Sequence, residues 1–291
     1  MINFYLPDFY ILYPINVALI DFLRNQPEKF YPDINIGAIY GCFPNQIWNG
    51  GRVVLGMPAD IENIINTIDA INKLSVPVRF TYTNGLIEKR HLDNRHCNFI
   101  TEVAHNGMNE ILVNSPLLEE YLRKNYPNYK YISSATRCIR DIDKLNELID
   151  SDKYSLVLGD YRDNFNFDFL NKIHKKDKVE ILIDPCCDLS CTKREYHYKV
   201  LNQIQLGMEP DKYPECPWES ANWFNMLKSN NIIKVEDLYT RYVDMGFKHF
   251  KLEGRNTHPM NVIDSYVYYL VKPEYKDEIR NILVQTQYSE K

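Results

Sequence analysis

Eight short apolar runs, each followed by a stretch with helical spacing, constrain this chain more than any other feature. The runs cover residues 2–6, 34–40, 78–83, 110–113, 130–133, 155–158, 179–183 and 247–252. The helical pattern is strongest over 60–74, where Ile61, Ile64, Ile65, Ile68 and Ile71 fall on one face. The same reasoning predicts helices over 16–24, 96–105, 116–125, 141–150, 166–174, 194–205, 235–245, 262–270 and 273–284. Strands that alternate with helices make parallel βαβ units, and eight such units in 291 residues fit an α/β, (β/α)8 TIM-type barrel. An open doubly wound sheet is the competing arrangement. It is weakened as a dinucleotide binder by the lack of a G-x-G-x-x-G turn after the first run. No repeat or linker divides the chain, so residues 1–291 read as one barrel domain with a cysteine-bearing insertion at about 185–230. Within it, residues 206–218 form an irregular stretch long enough to be a functional loop.

Composition narrows the function classes. With 45% hydrophobic residues the chain has enough apolar side chain to offset the entropy of ordering, which argues against disorder. A net charge of −5 gives no general attraction for a phosphate backbone, so RNA is not favoured as a partner. No apolar run is long enough for a membrane helix, and the first residues lack the pattern of a signal peptide. The expectation is a cytoplasmic protein acting on a small molecule or a peptide, with a homodimer or a heterodimer with a related chain left open. The C-terminal tyrosines Tyr266, Tyr268, Tyr269, Tyr275 and Tyr288 are the candidates for a dimer face, although helical spacing more often means core.

Active sites of such barrels gather at the C-terminal ends of the strands. The groups found there are Cys42, Asn84, Asn114, Asp160, Arg162, Cys186, Cys187, Glu253 and Arg255. Loops are polar in any protein, so only specific residue types carry weight. The seven cysteines are odd in number and do not suggest a disulfide scaffold. Four of them, Cys186, Cys187, Cys191 and Cys216, fall after the seventh run. Clustered thiolates suit iron–sulfur clusters or zinc, and His197 could complete a zinc site. Buried inert thiols are the alternative. Arg194 and His197, three residues apart on a predicted helix, could present a cation and a proton donor beside the metal. Cys42 reads as a core thiol that could instead serve as a fourth ligand. Glu253 and Arg255 could hold a substrate carboxylate or pair with each other.

The run Lys251-Leu252-Glu253-Gly254-Arg255 resembles the K-[IL]-E-G-R signature of the peptidase U32 (collagenase-like) family. Residues 183–197, with Asp184, Cys187, Cys191, Arg194 and His197, resemble a divergent subgroup with the pattern [ND]-x-x-C-x3-C-x2-R-x2-H. The resemblance implies an iron–sulfur cluster, 4Fe–4S in type, and oxygen-independent hydroxylation. Cys187, Cys191 and Cys216 would be ligands, Cys42 or Cys186 would compete for the fourth place, and Glu253 and Arg255 would line the mouth. The longer cysteine spacing usual in the family, with a His-Gly step before the first cysteine, is absent here. Three functions therefore stand. The first is an iron–sulfur oxidoreductase, with Glu253, Arg255, His197 and Arg194 catalytic and Asn84, Asn114, Arg162 and Asp160 binding substrate. The second is a U32-type peptidase. The third is a non-catalytic barrel with a structural zinc.

Overall fold

The computed structural model describes residues 1–210, 212–213, 222–255 and 257–289. Eight parallel strands close into a barrel in sequence order: β1 Ile2–Pro7, β2 Ile34–Gly41, β3 Val78–Tyr82, β4 Glu110–Val113, β5 Lys130–Ser133, β6 Leu156–Leu158, β7 Val179–Leu182 and β8 His249–Lys251. Closure comes from β8 pairing with β1, His249 lying opposite Asn3 and Lys251 opposite Tyr5. This is the TIM-type architecture expected from the alternation of runs.

The helices are α1 Tyr13–Asn25, α2 Ile61–Lys73, α3 Lys89–Leu92, α4 Arg95–Val103, α5 Pro116–Asn125, α6 Ile142–Asp150, α7 Phe167–Asn171, α8 Arg194–Gln205, α9 Trp223–Lys228, α10 Val235–Asp237, α11 Pro259–Leu270 and α12 Lys276–Tyr288. Local chemistry sets their starts. Asp60 caps α2 by accepting from the Asn63 amide at 2.7 Å, and Ser115 caps α5 just before Pro116. Each such cap is worth about 1 kcal/mol. On α2 the residues Ile64, Ile68 and Ile71 are buried on one stripe, as the spacing requires. The stretch 235–245 departs from the expected single helix. It is α10 followed by a π-helical turn, Leu238–Tyr242, with Tyr242 buried and its hydroxyl donating to the Asn164 carbonyl.

Alternation along the strands sorts the core in two. Ile39, Ile111 and Val157 belong to the layer packed with the helices, while Ala38, Tyr40, Leu112, Leu156 and Leu158 fill the barrel. The lower barrel is charged. Arg79 is fully buried, donates to Glu110 at 2.7 Å and to Glu180, and lies 4.0 Å from the centre of the Tyr5 ring. The Tyr5 hydroxyl meets His249 Nδ1 at 2.6 Å. Of the C-terminal tyrosines, Tyr266 and Tyr269 are core, which removes them from any dimer face. Tyr268 and Tyr275 are half-buried and Tyr288 is exposed. Among the described residues, no helix is long and apolar enough to cross a membrane.

Candidate functional site at the barrel mouth

Three segments build the mouth. The first is the loop after β2, anchored by the buried Trp48, whose indole N–H donates to the His91 carbonyl at 2.8 Å and whose ring packs on Tyr82. This anchor holds Arg52 over the barrel. The second is α8, which lies across the opening. Gln205 bonds the amide and carbonyl of Val54, and the Asn202 carbonyl accepts from Asn84. The third is the turn after β8. There Gly254 is required by close approach: a Cβ would stand 2.6 Å from both Pro7 Cγ and Val262 Cγ2.

Between them is a small cavity of about 70 Å3. Its floor is Tyr40, Leu112, Leu158 and Leu182, with Lys251 among them. Its walls include Arg52, Thr83, Thr136, Arg194, Tyr198, Glu253 and Arg255. Cations outnumber carboxylates on this lining. Glu253 pairs with Arg52 and accepts from the Cys186 amide at 2.8 Å. Arg255 donates to Asn49 Oδ1 at 2.9 Å, Thr81 Oγ1 at 2.8 Å and the Gly50 carbonyl at 3.2 Å, all neutral acceptors. The expected Glu253–Arg255 pair is thus replaced by Glu253–Arg52, and Arg52 was not legible as a site residue. Asp184, at the end of β7, accepts from the Glu253 amide and the Ser265 hydroxyl at 2.6 Å each. Burial pushes its carboxyl up to about 7.

The thiols lie on the loop between β7 and α8. Arg52 Nη2 stands 3.6 Å from Cys186 Sγ, and the Cys187 thiol is its chain neighbour. The neighbouring Cys186, with Arg52 and Arg194, favours the Cys187 thiolate and holds that thiol below its ordinary value, against burial and the Glu253 carboxylate. Cys186 is pushed the opposite way by Cys187 and by burial. Cys191 is half-buried; its carbonyl accepts from Arg162 at 3.1 Å, and its amide closes a turn on Asp188. Cys216 lies outside the described residues. Among the described residues, no three His, Cys, Asp or Glu side chains come together as a metal site. Cys187 has the donor chemistry a soft metal wants, but among the described residues Cys186, Cys187 and Cys191 do not by themselves complete a metal site.

The other predicted residues divide. Arg194 lines the cavity, donates to Asp160 at 2.9 Å and stacks 4.1 Å from the centre of the Tyr161 ring. Asp160 is enclosed by Arg194 and Arg162, which hold its carboxyl below its ordinary value against burial. Arg162 is committed to Asp160 and to the Cys191 carbonyl, which makes it a brace for the cysteine loop. Asn84 bonds the carbonyls of Ile47 and Asn202 and the Leu86 amide; Asn114 bonds Thr136 Oγ1 at 2.9 Å. Neither amide lines the cavity. His197 is half-buried, lowered by its burial and by Arg52, and also stands off the lining. Cys42 is buried against Thr81 and Arg255, its thiol pushed up to about 12 by burial, as suits an inert core thiol.

A solved structure shares this architecture. The U32 peptidase Mk0906 superposes with a TM-score of 0.54 over 89% of this chain and 94% of its own, at 13% identity. The chain is similar to that structure in fold. No protein-family model matches it, and no curated protein does. At that identity the likeness concerns the barrel and not its chemistry.

Proposed function

We propose that this U32-like barrel is an enzyme that uses the cysteine loop after β7 as its reactive element and the cationic mouth as its substrate seat. The observation that carries the reading is the pair of neighbouring thiols Cys186 and Cys187 set beside the cavity-lining Arg52 and Arg194, cations that favour the Cys187 thiolate. A thiolate is what either a soft metal or an electrophile requires. The form we favour is an iron–sulfur-dependent oxidoreductase. Cys187 and Cys191, with Cys216, would hold the cluster, which when bound would supply electron transfer. The chain's own residues do the rest: Arg194 and Arg255 attract an anionic substrate, α8 excludes water, and Glu253 fixes the cysteine loop through the Cys186 amide. A small anion suits this lining better than a nucleic acid, since the net charge is −5.

Protein purified without oxygen, assayed for iron and acid-labile sulfide, tests the cluster. Equal amounts of the two, lost in Cys187→Ser, are expected. Their absence would remove the cluster. The second reading, a thiol hydrolase of the U32 peptidase kind, would then stand on the same depressed thiol acting as nucleophile. Zinc bound in place of iron, with an unreactive Cys187, would favour a structural site.

A further inference from the structure

Lys251 has no part in the thiol chemistry, yet it lines the same cavity from the barrel interior. It leaves β8 pointing into the barrel and is 7% exposed. Its Nζ lies 3.7 Å from the centre of the Tyr40 ring and 3.9 Å from Glu180 Oε1. The second distance is too long for a hydrogen bond. No hydrogen bond to Nζ exists among the described residues, although the side chain lines a cavity floored by Tyr40, Leu112, Leu158 and Leu182. Burial, with Arg79 and Arg255 nearby, brings this amine down to about 7, against the pull of Glu180 and Glu253. Those groups come from every side: Arg79 on β3, Tyr40 on β2, Glu180 on β7, Glu253 and Arg255 after β8. An amine in an apolar pocket beside a second cation is the setting that makes lysine a nucleophile.

Groups suited to an anion line the same cavity. Thr83 Oγ1 is buried, faces the cavity and has no hydrogen-bond partner. The space above Gly51, where φ is +75°, is bordered by the Thr136 methyl group at 3.2 Å from where a Cβ would stand, and by Arg255 Nη2 and Thr83 Oγ1. A Cβ placed there would be 3.5 Å from Arg255 Nη2 and 3.9 Å from Thr83 Oγ1.

We propose that Lys251 is a covalent-catalysis residue that forms an imine with the carbonyl group of a small oxo acid, whose carboxylate is bound by Arg255 and Thr83. The amine lone pair attacks the carbonyl carbon, and the π pair moves to oxygen, which takes up a proton. The carbinolamine then expels that oxygen as water while the nitrogen gives up its second proton, so amine plus carbonyl yields imine plus water. Glu180 Oε1, buried with no hydrogen-bond partner among the described residues, stands 3.9 Å from Nζ and is the carboxylate nearest the amine to receive its protons. The proposal shares the mouth with the reading above but needs neither iron nor a thiol.

The test is reductive trapping of the full chain with glyoxylate and sodium cyanoborohydride at pH 7, read by intact mass and peptide mapping. An ordinary lysine has roughly one amine in a thousand free at that pH, so surface lysines react slowly. A single adduct on Lys251 is expected, its rate rising between pH 6 and pH 8 and then levelling. Lys251→Met, with its fold checked by thermal melting, loses the adduct. Compared on the plateau of each pH profile, where the amine is free in both proteins, Arg255→Met slows glyoxylate labelling by about tenfold or more relative to acetaldehyde, the value of one charge-assisted hydrogen-bonded pair. Adducts spread over many lysines, or a rate unchanged in Lys251→Met, would overturn the proposal. So would equal effects of Arg255→Met on both aldehydes, for the carboxylate seat. Iron and sulfide content plays no part in these readouts, so failure here is separable from failure of the cluster.

Discussion

At the scale of single residues, the decisive groups are charged side chains inside strands. Arg79 and Glu180 sit in VRFTY and VEIL, sequences otherwise suited to a buried strand. A lone charge on the inward parity of such a run is a readable signal, because burying it without partners costs several kcal/mol. What the sequence does not carry is the partner: Arg79 meets Glu110 on the next strand and Glu180 four strands away, a pairing only barrel closure creates. Arg79→Met should therefore cost about 3–5 kcal/mol, because it leaves two buried carboxylates facing each other. Urea unfolding measures this, and a loss below about 1 kcal/mol would contradict the network. Arg52 was silent for a different reason: it lies in a long loop without periodicity, and only the Trp48 anchor brings it over the barrel.

At the scale of elements, all eight strands were legible, because buried parallel strands read as apolar runs bounded by polar loops. The limits of β4 and β5 and of α8 agree with expectation, while α3 and α9 are too short for a helical period to emerge. The motif Lys251-Leu252-Glu253-Gly254-Arg255 gains a physical reading residue by residue. Lys251 enters the barrel, Glu253 holds the cysteine loop, Gly254 lets the chain pass Pro7, and Arg255 turns to the cavity. Asp184 ties this turn to β7. Its carboxyl titrates near 7 in the fold and near its ordinary value of about 3.9 when unfolded, so the folded state binds the proton more tightly. The stability it contributes is complete below pH 4 and is lost as the pH rises through 7, on the order of a few kcal/mol. Asp184→Asn can keep both hydrogen bonds, and it should flatten that decline in melts taken at pH 4 to pH 7. An unchanged slope would mean that Asp184 is ionised throughout.

At the scale of the whole molecule, the barrel divides its labour along its axis. The lower interior is a closed ionic network around Arg79, the middle is apolar, and the upper rim is cationic with thiols at its edge. Such polarity places stability at one end and chemistry at the other, the usual division in this architecture. The account rests on Cys187 standing at that rim as a thiolate near neutral pH. The most direct test is the rate of Cys187 alkylation by iodoacetamide in metal-free protein as a function of pH, followed by peptide mapping. The predicted profile has its midpoint below the ordinary thiol value and moves upward in Cys186→Ala, which removes the neighbouring thiol that favours the Cys187 thiolate. A midpoint at the ordinary thiol value of about 8.5, unmoved by that substitution, would contradict the account.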